Sequence, residues 1–75
     1  MTIEYKLTND ILLLDDGFIP TYGIQASDTE SGDILSCFND VSVNKDFTQQ
    51  IVDLLNLCKV DLCHFYDVVV DELNR

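Results

Sequence analysis

Residues 44–73 set the architecture of this protein, and they read NKDFTQQIVDLLNLCKVDLCHFYDVVVDEL. Apolar residues recur here at intervals of three and four, which is the spacing of one face of an α-helix. The first predicted helix begins after Asn44, a favourable N-cap residue. Its core-facing stripe consists of Phe47, Ile51, Leu54, Leu55 and Cys58. Only Lys59 and Val60 separate it from the next helical pattern, so we expect neighbouring antiparallel helices.

The second predicted helix begins after Asp61, another residue that favours N-cap positions. Its core-facing stripe consists of Leu62, Phe65, Tyr66, Val69, Val70 and Leu73. The consecutive valines at 68–70 favour a strand, because β-branched side chains lose rotamer freedom in a helix. His64, Asp67 and Asp71 nevertheless share the opposite face. This two-sided pattern predicts a helix.

The amino-terminal half has a different texture, with short apolar runs separated by turn residues. The predicted strands cover residues 3–7, 11–14, 22–26 and 34–38. The predicted turns cover residues 8–10, 15–17 and 27–32. Local pairing gives an α+β fold, with an antiparallel meander of three to four strands and two C-terminal antiparallel helices packed on one face. We expect one small domain over residues 1–75.

The charge balance restricts the partners of this protein. Asp and Glu number 14 against 4 Lys and Arg, which gives a formal charge of −10. The cations are scattered along the chain: Lys6, Lys45, Lys59 and Arg75. Binding to a nucleic acid backbone or to an anionic membrane needs clustered cations. We therefore expect a protein partner, and neither nucleic acid nor membrane.

The cellular location follows from the cysteine count and from the lack of targeting signals. The sequence has 3 cysteines, which is an odd number, and no apolar signal segment accompanies them. No run of about 18 apolar residues is present that could cross a membrane. This pattern is typical of reduced thiols, so we expect a cytoplasmic protein.

A zinc site is the sharpest chemical alternative, because Cys58, Cys63 and His64 lie close together in sequence. Cys63 and His64 are adjacent, however, so on a helix their side chains diverge by about 100°. Cys37 lies on a predicted strand without a partner at ligand spacing. We expect all three cysteines to be buried as small hydrophobic residues, and we predict no metal or cofactor.

Catalysis has weak support in the sequence. His64, Asp67 and Asp71 lie one helical turn apart and could act as an acid–base cluster. A solvated helix face explains the same spacing, and no G-x-S-x-G nucleophile motif is present. We therefore expect a protein that is not an enzyme and has no catalytic residue. A metal or enzyme site around His64 remains the least favoured alternative.

The apolar content exceeds what one small core needs, and this excess predicts an interaction surface. The residues expected outside the core are Leu12, Leu14, Val52, Leu57 and Val68. We expect a small acidic cytosolic interaction or regulatory module that self-associates, for example as a homodimer. The alternative is an acidic mimic of nucleic acid that binds a basic protein. Such a mimic would carry two rows of carboxylates without an apolar centre.

Several segments together resemble a known family. They are Thr21 to Ile24, Asp40 to Ser42, Leu54 to Cys58, and the closing helix from Leu62 to Leu73. In these segments and in their order, the chain is similar to an uncharacterised family of short acidic proteins, a domain of unknown function from spore-forming Gram-positive anaerobic bacteria. The resemblance covers nearly the whole chain. It implies a compact α+β fold in the bacterial cytoplasm, without implying a reaction.

Overall fold

The structure is a computed structural model, and it describes residues 2–75. Its elements are β1 (Ile3–Leu14), β2 (Gly17–Asp28), β3 (Ile34–Ser42), α1 (Lys45–Leu57) and α2 (Leu62–Leu73). The strands form one antiparallel sheet in the order β1-β2-β3. Both helices follow the sheet in sequence and pack on it. The predicted α+β meander with C-terminal helices is confirmed.

The first two predicted strands are one strand, so the predicted turn at residues 8–10 is wrong. β1 pairs with β2 without interruption, from Ile3 opposite Asp28 to Leu14 opposite Gly17. The ladder overrides the turn preference of the polar residues at 8–10, because each has a cross-strand partner. The hairpin turns at residues 15–16, inside the predicted turn at 15–17, and Gly17 follows with φ 141°.

Gly23 allows the polar residues of β1 to stay in the ladder. A Cβ atom at this position would lie 2.8 Å from Thr8 Oγ1 and 3.0 Å from Asp10 Oδ2. It would also lie 2.6 Å from the backbone oxygen of Phe38. The missing side chain therefore leaves the space that the Thr8 and Asp10 side chains occupy next to β3.

The last strand also extends beyond its predicted end. β3 continues past Phe38 to Ser42, and its pairing with β2 shifts register twice. Asp40 lies in the irregular part with φ 54°, and its Oδ1 accepts a hydrogen bond of 2.6 Å from Thr21 Oγ1. A bulged strand can hold polar residues that a regular strand disfavours, and the sequence pattern did not predict it.

The core lies between the sheet and the helices. Its buried apolar residues are Tyr5, Ile24, Ala26, Val41, Ile51, Val52, Leu55, Phe65 and Val69. The N-cap role of Asn44 is confirmed, since its side chain accepts a 3.0 Å hydrogen bond from the amide of Phe47. The face that α1 buries is rotated from the predicted stripe. Val52 is buried, Leu54 is half-buried, and Cys58 is exposed at the C-cap.

α2 is a helix through the three valines, as predicted, but it too is rotated from the predicted stripe. Phe65 and Val69 are buried, and Val68 packs against the core although the sequence placed it outside. Tyr66 is exposed, and its ring stacks on Phe38 with centroids 5.4 Å apart. α2 packs against α1 and β3, which is an edge strand. α2 also contacts β1, because the ring of Phe65 lies 5.0 Å from that of Tyr5.

Tyr5 connects β1 to the link between the helices. Its hydroxyl donates a 2.6 Å hydrogen bond to the carbonyl oxygen of Val60, and its ring lies 5.0 Å from that of Phe65. Its backbone is bound by the side-chain amide of Asn56 through two hydrogen bonds of 2.9 Å. These contacts fix the end of α1 and the start of α2 over the first strand.

Candidate interaction surface

The far end of the β1–β2 hairpin forms an exposed apolar arm, which we define as residues 11–20. Every residue of the arm is exposed. β3 pairs with β2 only from Tyr22 to Ser27, so the arm has two strands and no third neighbour. A two-stranded ribbon without a covering layer has little stability of its own. The arm is therefore held in place by the rest of the sheet.

The arm is apolar on both of its faces. On the face that continues the helix-covered side of the sheet lie Ile11, Leu13, Phe18 and Pro20, because they follow the alternation of Tyr5 and Ala26. On the opposite face lie Leu12, Leu14 and Ile19. Leu13 is 79% exposed and Phe18 is 68% exposed, so the helices do not cover the arm.

Carboxylates lie at the tip and at the base of the arm, but not in its two strand segments. Asp15 and Asp16 form the turn at its tip, and Asp10 lies at its base opposite Thr21. The paired strand segments between these positions, residues 11–14 and 17–20, contain no charged residue. The arm thus combines an uncharged apolar centre with an acidic rim, in the usual layout of a protein-binding surface.

The residues predicted to form the interaction surface are separated in the structure. Leu12 and Leu14 lie together in the arm, and Leu57 is 81% exposed at the end of α1. Val52 is 3% exposed, so its assignment to a surface is wrong. Val68 is half-buried against the core, and this also corrects its predicted position. Both valines are buried because each helix packs on a rotated face.

Sequence reasoning missed the other exposed side chains of the arm: Ile11, Leu13, Phe18 and Ile19. The prediction placed Leu12 and Leu14 outside the core, and so it left Ile11 and Leu13 on the core-facing side of their strand. The sequence did contain a signal for this exposure. Residues 11–14 are all apolar, so both faces of this strand are apolar, and an acidic turn follows directly. The helices cover the sheet only over their own length. An apolar hairpin that is longer than the helix layer extends beyond it and stays exposed.

The prediction that the cysteines are buried is wrong, because Cys37, Cys58 and Cys63 are all exposed. Cys37 pairs with Gln25 on the sheet face away from the helices, and Cys58 follows the last turn of α1. Cys63 lies on the uncovered side of α2. Within residues 2–75, no group of three or more His, Cys, Asp or Glu side chains is placed to hold a metal ion.

His64, Asp67 and Asp71 are exposed on α2, as expected for a solvated helix face. The clefts found in the described part of the chain lie elsewhere. One is lined by Thr2, Ile3, Asn56, Lys59, Val60 and Asp61, and the other by Phe47, Gln50, Ile51, Leu54, Glu72 and Arg75. Neither of these two clefts includes His64.

Comparison with known proteins places the chain in a family. A family model described as "Family of unknown function (DUF6514)" matches residues 1–75. The chain belongs to this family. A domain of unknown function over the chain was the expectation from the sequence, and it is confirmed. Searches of curated proteins and of solved structures found no match. No helix within residues 2–75 is long and apolar enough to cross a membrane.

Proposed function

We propose that this protein is a small acidic interaction module of the bacterial cytoplasm that self-associates through its apolar arm. The observation that carries the proposal is the exposure of every residue from Ile11 to Pro20. Small soluble domains seldom leave a contiguous apolar patch in water unless it binds something. The three exposed thiols support a reducing compartment.

The lack of charge in the strand segments of the arm favours a second copy as its occupant. A basic foreign partner would be attracted by the carboxylates, but the strand segments of the arm are uncharged. Two arms can cover one another while Asp15 and Asp16 stay at the tips in water. A two-fold dimer also places the same patch on both subunits, so one self-complementary surface is sufficient.

The tip of the arm favours a protein partner over a lipid surface. Insertion of the hairpin into hydrocarbon would bring Asp15 and Asp16 in first, and burying an unpaired carboxylate costs several kcal/mol. The net charge of −10 adds repulsion from anionic lipid headgroups. The arm therefore has the polarity of a surface that packs on another protein chain.

The arm can also supply enough binding free energy. Association costs about 4–15 kcal/mol in lost translational and rotational freedom. Full burial of one Leu, Ile or Phe side chain contributes about 1.5–3 kcal/mol. The arm carries six such exposed side chains: Ile11, Leu12, Leu13, Leu14, Phe18 and Ile19. Partial burial of these residues from both copies is of the size required.

The two alternatives from the sequence have less support. An acidic mimic of nucleic acid needs rows of carboxylates without an apolar centre, whereas the arm of this protein is an exposed apolar segment. A catalytic role around His64 needs a pocket that positions a substrate, and the described clefts do not include this residue. Binding through the arm uses the feature for which the fold itself provides no other explanation.

Sedimentation equilibrium over a salt series tests the proposal. We expect a dimer that persists from about 0.05 to about 0.5 M NaCl, because apolar burial is insensitive to ionic screening. Binding through carboxylates would instead weaken steeply with salt. A strict monomer at micromolar to millimolar concentration would overturn the proposal.

Ile11→Asn is the informative variant, and Ile34→Asn is its matched control. Both isoleucines lie on strands, with exposures of 63% and 61%, but Ile34 lies at the end of the sheet away from the arm. We expect Ile11→Asn to weaken the dimer at least tenfold and Ile34→Asn to leave it within about twofold. Equal effects would place the interface outside the arm.

A further inference from the structure

The outer edge of β1 faces away from β2, and at one residue this edge already has a partner. The backbone amide of Tyr5 donates to Asn56 Oδ1, and its carbonyl oxygen accepts from Asn56 Nδ2, each at 2.9 Å. The backbone groups of Tyr5 therefore point outward. In an antiparallel strand, the N–H and C=O groups of one residue point to the same side, and those of the next residue point to the other side. The backbone groups of the other odd-numbered residues of β1 therefore point outward as well.

Beyond Tyr5 this edge is open. The outward-pointing residues are Leu7, Asn9, Ile11 and Leu13. None of their backbone groups has a hydrogen-bond partner among the residues that the structure describes. Asn56 occupies the edge only at Tyr5, so the open part extends from Leu7 to the turn. An edge of this length offers a row of donors and acceptors to another strand.

The other edges of the sheet are less suitable for pairing. Along the arm, the outer edge of β2 presents Phe18 and Pro20, and proline has no N–H to donate. β3 pairs through two register shifts and contains Asp40 at φ 54°, and such irregularities turn an edge away from a regular partner. β1 runs in one unbroken register over 12 residues. It is the one regular edge of the described sheet.

We propose that two copies of this chain pair through their β1 edges, antiparallel, about a two-fold axis at Ile11. The two three-stranded sheets then form one continuous six-stranded sheet. This inference rests on the proposed self-association and specifies its geometry. Side chains of the two arms lie side by side across the axis, so both apolar faces are partly covered at once.

Hydrogen bonding favours this register over those centred on Asn9 and on Leu12. With Ile11 opposite Ile11 of the second copy, Asn9 lies opposite Leu13, and all of these residues point outward. A shift that centres the pair on Asn9 brings Leu13 against Tyr5, where Asn56 already holds the backbone groups. A shift that centres it on Leu12 loses the Asn9–Leu13 pairs. The register at Ile11 therefore pairs Asn9, Ile11 and Leu13 and leaves the backbone groups that Asn56 holds at Tyr5 undisturbed. A register centred on Asp10 would also pair Leu7, so charge must decide between these two.

The charges favour the same register. Centring on Asp10 would place two carboxylates directly opposite each other, which is destabilising. With the axis at Ile11, Asp10 lies opposite Leu12 instead. Lys6, the only cation in the strands of the described sheet, then lies towards the end of the interface at which the acidic turn of the second copy is located.

A proline at the axis tests the backbone pairing. Ile11→Pro removes an outward N–H and leaves the bonds between β1 and β2 intact, since those come from even-numbered residues. Ile11→Val keeps the N–H and is the matched control. We expect at least a tenfold rise in the dimer dissociation constant for Ile11→Pro and less than about a twofold change for Ile11→Val. Circular dichroism checks that both variants fold.

Cysteine cross-linking tests the register even if the proline variant does not fold. In a chain with Cys37, Cys58 and Cys63 replaced by Ser, the Ile11→Cys variant should form a disulfide between position 11 of one copy and position 11 of the second copy under a mild oxidant. Residues in a hydrogen-bonded pair lie about 5.5 Å apart, within the range that a disulfide spans. A Leu13→Cys chain should cross-link to an Asn9→Cys chain when the two are mixed, because these positions lie opposite each other in this register. The Leu13→Cys chain by itself should cross-link only weakly.

The outcomes separate this inference from the proposed function. A wild-type monomer would overturn both. A dimer that tolerates Ile11→Pro but is lost in Ile11→Asn would overturn edge pairing. Self-association would then occur by packing of the apolar faces of the two arms. Cross-linking of Leu13→Cys alone at the rate of Ile11→Cys would overturn the register. Faster cross-linking of Ile11→Cys, together with a weakened proline variant, supports the inference.

Discussion

Tyr5 combines three roles in one residue at the edge of the sheet. Its ring is buried against Phe65, its hydroxyl donates to Val60, and its backbone is bound by Asn56. Burial raises the pKa of the Tyr5 hydroxyl, and the negative charges of Asp61 and Cys63 raise it further. The neutral form of Tyr5 is therefore part of the folded state.

The raised pKa of Tyr5 makes stability depend on pH in the alkaline range. In the unfolded chain the hydroxyl titrates near its ordinary value of about 10. The unfolded state then releases this proton at a lower pH than the folded state does. The stabilisation is complete below about pH 10 and is lost as the pH rises from there through the folded pKa.

Tyr5→Phe isolates this contribution. At about pH 8 we expect the variant to lose about 0.5–1.5 kcal/mol of unfolding free energy, because the hydrogen bond to Val60 is gone. Above about pH 10 its stability should fall less steeply with pH than that of the wild type. Urea unfolding followed by circular dichroism across this pH range measures both effects. The control is Tyr66→Phe at an exposed position, which should keep the wild-type dependence of unfolding free energy on pH. If wild type and Tyr5→Phe lose stability equally steeply above about pH 10, the loss does not come from Tyr5.

At the scale of the elements, periodicity predicted both helices but not the faces that they bury. The apolar residues of α1 occupy more than one narrow stripe, since Val52 and Leu54 flank Ile51 and Leu55 on opposite sides. Rotating the helix exchanges one flank for the other at little cost in apolar burial. The choice is made by tertiary contacts, such as that of Asn56 with β1, and a single sequence does not contain them.

Leu55→Ala and Leu54→Ala measure which face of α1 is buried. Leu55 is fully buried and Leu54 is half-buried. We expect Leu55→Ala to cost about 2–5 kcal/mol, because it leaves a cavity in the core. Leu54→Ala should cost roughly half as much or less, since its site can relax into solvent. Urea unfolding of the two variants decides the matter, and a larger loss for Leu54→Ala would mean that the originally predicted stripe is the buried one.

The strands show the opposite limit of sequence reasoning. The four predicted strand segments all lie in strands, but Thr8, Asn9 and Asp10 read locally as a turn. They stay in β1 because β2 offers them partners, and because Gly23 leaves space beside them. Gly23 lies 13 positions or more along the chain from these residues, so the cause is not local. Overlooking this continuity also hid the length of the hairpin, and with it the arm.

At the scale of the whole molecule, the proposed binding surface is separate from the residues that form the core. The Cα atoms span 43 × 29 × 18 Å, and the core residues all lie outside residues 11–20. The arm thus adds apolar surface without adding to the core. A chain with 10 excess negative charges repels its own copies at long range, so the proposed association requires a short-range apolar contact.

Shortening the arm tests this separation directly. Asp10 and Thr21 form a hydrogen-bonded pair, because the even-numbered residues of β1 point towards β2. An Asn-Gly turn can therefore replace residues 11–20 and close the hairpin there. We expect the shortened chain to keep its helical circular dichroism and cooperative unfolding, with a loss of no more than about 1 kcal/mol, because only exposed side chains are removed. It should sediment as a monomer where the wild type is a dimer. Loss of the fold would show that the arm stabilises the sheet, whereas a folded dimer would show that the copies associate through another surface.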